Sequence, residues 1–129
     1  MTSAPEFDPS TPSSRIVPHF SRTRDAGDLV FVSGQLPFDV NQTVIEGDVA
    51  EQTRQCLRNI EASLQATGLT LAHVVKTTVW LARIEDFLPF NAAYGAAFQG
   101  ATLPSRSTVR ADLMVPGALV EIEAIAHRG

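Results

Sequence analysis

The chain is poor in lysine and cysteine, and each shortage excludes a class of function. Lys76 is the only lysine among 129 residues and the formal net charge is −4, so no basic field is available to collect phosphates. Nucleic acid is therefore disfavoured as the main partner. Cys56 is the single cysteine, which rules out an intrachain disulfide and favours a reducing, cytoplasmic compartment.

Signals for membranes and cofactors are equally scarce. No apolar run approaches the roughly 20 residues that span a bilayer, and residues 1–15 lack the charged-then-apolar pattern of a signal peptide. His, Cys and acidic residues do not gather at metal-ligand spacing, and no GxGxxG or P-loop pattern occurs. The sequence thus predicts no membrane association, no metal and no cofactor.

Length and composition predict one globular domain behind a short arm. Hydrophobic residues make up 44% of the chain and charged residues 19%, which is typical of a soluble protein with a real core. Residues 1–14 are rich in Pro, Ser and Thr and are expected to form a flexible N-terminal arm. Residues 15–129 then form the single domain.

Hydrophobic periodicity predicts five strands and two helices. Asp48, followed three positions later by Glu51, marks the start of the first helix, and Gly68 marks its end. The predicted elements are a short strand near 16–23, a buried strand at 29–33 broken by Gly34, a helix at 48–68, a strand at 73–82, a helix at 86–98, and two strands flanking Pro116-Gly117. This order favours an α+β fold with both helices on one face of a mixed sheet. A second subunit would cover the other face.

The last predicted strand carries two acids on one side. Glu121 and Glu123 point to one face, while Val120, Ile122 and Ala124 point to the other. On a partly covered face each carboxylate raises the pKa of the other, and burial raises it further, which suits general acid–base chemistry. The alternative is that both glutamates are simply solvated.

Arg106 is the first candidate for binding a small anion. Its planar fork of donors matches a carboxylate, and Ser107 and Thr108 can add hydroxyl donors. We expect Arg106 on the same open face as the glutamates. The alternative is a cross-strand ion pair from Arg106 or Arg110 to a glutamate, worth about 0.2–1 kcal/mol if exposed.

The remaining polar candidates have structural alternatives. Asn91 is expected on the inner face of the second helix, where it either caps a backbone group or contacts a ligand. Cys56 lies on the apolar face of the first helix and favours a core position over a nucleophilic one. Phe90, Tyr94 and Phe98 are expected in the core.

Four stretches of the chain resemble the Rid (YjgF) family of enamine/imine deaminases. They are GDLVFVSGQLPFD from Gly27, GDVAEQTRQCLRNIEASLQATG from Gly47, VVKTTVWL from Val74 and PSRSTVRADLMVPGALVEIEAIA from Pro104. The resemblance covers nearly all of residues 16–128. Its most specific element is a Pro-x-Arg-Ser run followed fifteen residues later by Glu-x-Glu-Ala-x-Ala.

The resemblance implies a chorismate-mutase-like α+β fold in a homotrimer, with sites in clefts between subunits. It also implies hydrolysis of 2-imino or 2-enamino acids, such as 2-aminoacrylate and 2-iminopropanoate, to 2-oxo acids and ammonia without a cofactor. Arg106 matches the family's carboxylate-binding arginine, and Glu121 the acid that positions water and shuttles protons. Ser33 and Gly34 match a pair that faces the substrate.

Three further positions follow from the same resemblance. Asn91 matches a helix asparagine near the cleft, and Thr108 stands where some members have a cysteine. Phe20 departs from the pattern, because members usually carry Pro-Tyr where this chain has His19-Phe20. Phe20 keeps an aromatic wall without the hydroxyl, which would suit a larger or more apolar imino acid, and His19 would be the replacement donor.

Three other functions remain open at this point. One is a deaminase or hydrolase dedicated to a larger imine in one pathway, which Phe20 favours. Another is a non-catalytic metabolite-binding or chaperone-like trimer. A ribonuclease is the third, and the acidic charge balance disfavours it.

Overall fold

The computed structural model describes residues 18–129, so the predicted arm and the beginning of the predicted first strand lie outside the described residues. Seven main elements follow, with short 3₁₀ turns before β3 and α2. They are β1 (Thr23–Ala26), β2 (Leu29–Gln35), α1 (Val49–Gln65), β3 (Val74–Leu81), α2 (Phe87–Ala97), β4 (Ser105–Arg110) and β5 (Val120–His127). No helix in this part of the chain is long and apolar enough to cross a membrane.

The five strands form one mixed sheet in the order β1-β2-β5-β3-β4. Every neighbouring pair is antiparallel except β3 and β4, which are parallel. The two helices pack against each other and over one face of the sheet. The predicted α+β class with helices on one face is therefore confirmed, and β4 is an edge strand.

Helix α1 begins and ends where the sequence predicts. The Asp48 carboxylate accepts a hydrogen bond from the Glu51 backbone N–H at 2.9 Å, which satisfies one of the free donors of the first turn. Gly68, just beyond the last turn, has a φ of +83°, a left-handed conformation that glycine adopts without strain. The apolar stripe of α1 fills the core with Val49, Cys56, Leu57, Ile60 and Leu64.

Strand β1 lies further along the chain than predicted. Its four residues, Thr23–Ala26, are mostly exposed and carry two charges, so no hydrophobic pattern marks them in the sequence. A two-residue turn connects the strand to β2, with Gly27 at a φ of +61° and Ala26 paired with Leu29. The prediction of a strand ending at Thr23 was wrong because a polar edge strand has no apolar period.

Strand β2 does not end at Gly34. It continues to Gln35, and its pairing with β5 shifts between Val32 and Gln35. Val32 pairs with Ala124 and Gln35 with Ile122, so Ser33 and Gly34 together oppose one residue of β5. This is a β-bulge, a device that redirects side chains within a strand.

The second face of the sheet has no covering element among residues 18–129. Strand β5 alternates as predicted, with every second residue from Val120 to Ala126 buried under the helices. The uncovered face presents apolar side chains as well as the two glutamates: Phe31 is 40% exposed and Val109 is 48% exposed. Exposed apolar groups grouped on one face are typical of an interaction surface.

Candidate active site

Glu121 lies in a notch made by a missing side chain. It is half-buried on the uncovered face, and its carboxylate occupies the space that a Cβ on Gly34 would fill. Burial raises the pKa of the Glu121 carboxyl, and the charge of Glu123 on the same face raises it further. The predicted direction of this pKa shift is confirmed, and burial is its larger cause.

Ser33 connects the notch to the segment before β1. Its hydroxyl donates a hydrogen bond to the Ser21 carbonyl oxygen at 2.7 Å, and its backbone N–H donates to the Arg22 carbonyl oxygen at 3.0 Å. The neighbouring residue, Phe20, is 65% exposed. Ser33, Gly34 and Glu121 therefore form one group, which we call the acid half-site. Phe20 precedes Ser21, the residue to which the Ser33 hydroxyl is hydrogen-bonded.

Arg106 lies on the opposite face from the acid half-site. Arg106 pairs with Thr77 of β3 in the parallel ladder. Glu121 pairs with Trp80, which lies three positions after Thr77 on the same strand. Directly opposed residues of neighbouring strands share a face and successive residues alternate, so the register separates Arg106 from Glu121. The expectation that they share the open face was wrong. The sequence shows which residues of one strand share a face, but it does not show how neighbouring strands are aligned.

The Arg106 guanidinium rests on aromatic rings of α2. Its Cζ is 4.8 Å from the ring centre of Tyr94, 5.1 Å from that of Phe90 and 5.8 Å from that of Phe87. Such cation–π contacts contribute about 0.5–2 kcal/mol, depending on desolvation. These contacts hold the guanidinium without a hydrogen-bond acceptor, and its N–H groups have no hydrogen-bond partner within residues 18–129.

No carboxylate of the described residues pairs with Arg106. The ion pairs found between Pro18 and Gly129 are Arg83–Asp86 and Arg128–Asp25, and Arg106 makes no hydrogen bond to any residue in that range. The cross-strand ion pair considered as its alternative role is therefore absent. A half-buried guanidinium whose N–H groups have no partner among residues 18–129 is suited to bind a carboxylate from outside the chain.

A polar contact that no sequence motif predicts lies beneath Arg106. The Thr77 and Tyr94 hydroxyls are 2.7 Å apart and buried. Burial raises the pKa of Tyr94, while the Thr77 hydrogen bond and the Arg106 charge oppose that rise. Tyr94 was expected to be core and is buried, but the hydrogen-bond partner requires the docking of α2 on β3, which no local motif encodes.

The other predicted candidates fall in different places. Thr108 pairs with Val79 and shares the Arg106 face; with Arg106 it forms what we call the arginine half-site. Asn91 is exposed rather than on the inner face of α2, so the prediction for this residue was wrong. Cys56 is fully buried, and burial raises the pKa of its thiol, so the core interpretation is confirmed.

The sequence profile of the family described as "Endoribonuclease L-PSP" matches residues 12–128. The chain belongs to this family. A member from Salmonella typhimurium, named 2-iminobutanoate/2-iminopropanoate deaminase, is 42% identical over 106 residues, which are 81% of this chain and 83% of the relative. A rat protein of the same name is 42% identical over 101 residues, covering 78% and 73% of the two chains.

Solved structures of the family have the same fold. The YjgF gene product from E. coli superposes with a TM-score of 0.81 at 38% sequence identity, covering 88% of this chain and 91% of the other. The resemblance of the four sequence stretches to the Rid (YjgF) family is thereby confirmed. Within this family member the two half-sites lie on opposite faces of one sheet, so neither is a complete site by itself.

Proposed function

We propose that this Rid-family protein hydrolyses 2-imino and 2-enamino acids to 2-oxo acids and ammonia. The observation that carries the proposal is Arg106, whose guanidinium is held on aromatic rings with no carboxylate partner among the described residues. Relatives named 2-iminobutanoate/2-iminopropanoate deaminase at about 42% identity support the same substrate class. 2-Iminobutanoate and 2-iminopropanoate, with its tautomer 2-aminoacrylate, are the proposed substrates.

The chemistry needs a fixed carboxylate and one proton-transferring group. Water adds to the imine carbon as the C=N bond opens, giving a carbinolamine; its hydroxyl then forms the C=O bond while the C–N bond breaks and ammonia leaves. Arg106 holds the substrate carboxylate with two hydrogen bonds. Glu121 accepts a proton from the attacking water and returns it to the leaving nitrogen. A 2-enamino acid first takes a proton at C3 to become the imine.

The two half-sites must come from different chains. The carboxylate carbon and the imine carbon of the substrate are bonded neighbours, so Arg106 and Glu121 must reach adjacent atoms. Within one chain the two side chains lie on opposite faces of the sheet. Arg106 is on the edge strand β4, and a second copy that places this edge over the uncovered face would bring the halves together. We propose a homotrimer with three such sites, closed by cyclic symmetry.

The position of Phe20 supports a second candidate within the same chemistry. The exposed phenyl ring of Phe20 is adjacent to Ser21, which accepts the hydrogen bond of Ser33. It adds apolar surface where a substrate side chain would enter. A deaminase dedicated to larger, apolar imino acids would therefore prefer substrates derived from leucine or phenylalanine. A ribonuclease, the activity in the family's description, is disfavoured by the net charge of −4, because RNA affinity depends on phosphate neutralisation.

The activity is tested by generating imines in place. Threonine dehydratase supplies 2-iminobutanoate and an amino-acid oxidase supplies the larger imines, while semicarbazide traps whatever imine is not hydrolysed. We expect the protein to suppress trapping of 2-iminobutanoate in proportion to its concentration. Selective suppression of the larger imines would support the dedicated deaminase, and trapping unchanged with every imine would exclude both candidates.

Gly34→Ala is expected to lower activity without unfolding the protein. The added methyl would displace the Glu121 carboxylate, which ends a flexible side chain and can rotate away, so the stability loss should stay below the ~1–3 kcal/mol typical of overpacking. A misplacement of about 1 Å in a catalytic group can cost about a hundredfold in rate. Gly95→Ala is the control, since nothing lies within 4 Å of an added methyl there; it should keep full activity. Equal activity of both variants would contradict the role of the notch.

A further inference from the structure

Tyr94 is tied to the strand next to Arg106 through its hydroxyl. The ring packs between Phe90, at 5.6 Å between ring centres, and Phe98, at 4.8 Å. Its hydroxyl oxygen is 2.7 Å from the Thr77 hydroxyl, and neither residue has more than 4% of its surface exposed. A buried phenol without a partner would be costly, so this bond fixes where the ring can lie.

The same bond links the ring to Arg106. Thr77 is the residue directly opposed to Arg106 in the β3–β4 ladder, and Tyr94 has the ring closest to the guanidinium carbon, at 4.8 Å. The three groups therefore form a continuous path from Thr77 through the Tyr94 ring to Arg106. No acidic side chain of residues 18–129 forms an ion pair that would hold the guanidinium instead.

We propose that the Thr77–Tyr94 hydroxyl pair positions Arg106 for the substrate carboxylate. The pair fixes the ring, the ring holds the guanidinium by a cation–π contact, and the N–H groups can form two parallel hydrogen bonds to the substrate carboxylate. An arginine positioned by a carboxylate would lose part of its donor fork to that partner. Pre-organisation by a ring reduces the cost of ordering Arg106 on binding and consumes none of its donors.

This inference rests on the proposed function for the identity of the ligand, but not for its geometry. If the hydroxyl pair only satisfies two buried polar groups, its loss lowers stability and leaves Arg106 unaffected. If it positions Arg106, its loss also moves the arginine and weakens substrate binding. Thr53 provides a matched control, because it is likewise buried and its hydroxyl donates at 2.7 Å, to the Val49 carbonyl oxygen.

The test compares Tyr94→Phe, Thr77→Val and Thr77→Ser with Thr53→Val. We expect Tyr94→Phe and Thr77→Val each to raise KM for 2-iminobutanoate about three- to tenfold, with kcat changed by less than about twofold. Thr77→Ser keeps the hydroxyl and should restore the wild-type KM. Thr53→Val should lose comparable stability and keep KM. Unchanged KM in both hydroxyl-deletion variants would overturn the inference, as would a loss confined to kcat.

A second readout separates this inference from the proposed function. Protons held over a ring face resonate upfield, so the Arg106 δ-methylene signals should be shifted in the wild type and in Thr53→Val. They should move towards the values of an exposed arginine in Tyr94→Phe and Thr77→Val. If the wild type hydrolyses no imine, the proposed function fails and these signals alone decide: their shift in the variants supports the positioning role, and identical signals in all proteins refute it.

Discussion

Arg106→Ala is expected to lower kcat/KM for 2-iminobutanoate by about two to four orders of magnitude. The truncation leaves the substrate carboxylate desolvated and unpaired, a penalty of roughly 3–5 kcal/mol, and each 1.36 kcal/mol corresponds to about a factor of ten. The measurement is the rate of imine consumption in the dehydratase-coupled assay. Because the guanidinium has no ion pair among residues 18–129, the variant should fold and assemble normally.

Arg110→Ala is the matched control for this result. Arg110 lies on the same strand and the same face as Arg106 but pairs with Leu81 at the end of the ladder. Arg110 makes no cation–π contact with the aromatic rings of α2, since the cation–π contacts found between residues 18 and 129 all belong to Arg106. Its loss should change kcat/KM by less than about threefold. A tenfold or smaller effect of Arg106→Ala would remove the role assigned to it.

Glu121→Gln is expected to lower kcat by about two to four orders of magnitude, the usual contribution of a general acid–base group. The amide keeps the shape of the side chain over Gly34 but cannot accept a proton from water. Glu123→Gln serves as the comparison, because it removes a charge two residues away on the same face. It should retain kcat at neutral pH within about threefold, and equal losses in both variants would show that Glu121 has no special role.

The pH dependence follows from the raised pKa of Glu121. Activity requires the carboxylate, so kcat should fall as pH drops through a pKa that burial, and to a lesser extent Glu123, places above the ordinary glutamate range. Glu123→Gln removes the second cause and should move this acid limb to lower pH. An unmoved limb would show that Glu123 does not influence the group that titrates.

The same shift fixes the sign of the stability effect. A carboxyl whose pKa is higher in the folded state than in the unfolded state destabilises the fold when it is ionised. This cost is complete above the folded pKa and disappears as pH falls below the unfolded value. Glu121→Gln should therefore be at least as stable as the wild type at neutral pH, as measured by denaturant unfolding, while being almost inactive.

Local signals in the sequence predicted the parts of the fold that depend on local chemistry. Asp48 caps α1 because its side chain needs only the N–H three residues later, and the alternation of β5 follows from the two-residue period of a strand. The grouping of Glu121 with Glu123 on one face needs nothing more. The roles of Arg106 and Glu121 are implied by the family resemblance and are proposals.

The features that the residues alone could not predict depend on contacts distant in sequence. The face occupied by Arg106 depends on its pairing with Thr77 across the β3–β4 ladder. The alternation of side chains within one strand does not determine this pairing. The Thr77–Tyr94 bond depends on how α2 docks on the sheet. The notch at Gly34 depends on a bulge that sets two residues of β2 against one of β5.

Mixing two inactive variants tests the central claim most directly. The claim is that Arg106 of one chain and Glu121 of another form each imine-hydrolysing site. Arg106→Ala and Glu121→Gln chains, coexpressed with different tags and purified through both tags in turn, should regain about a third of the wild-type activity per chain, because every mixed trimer then has one intact site in about three. Activity no higher than that of either variant alone would contradict the account.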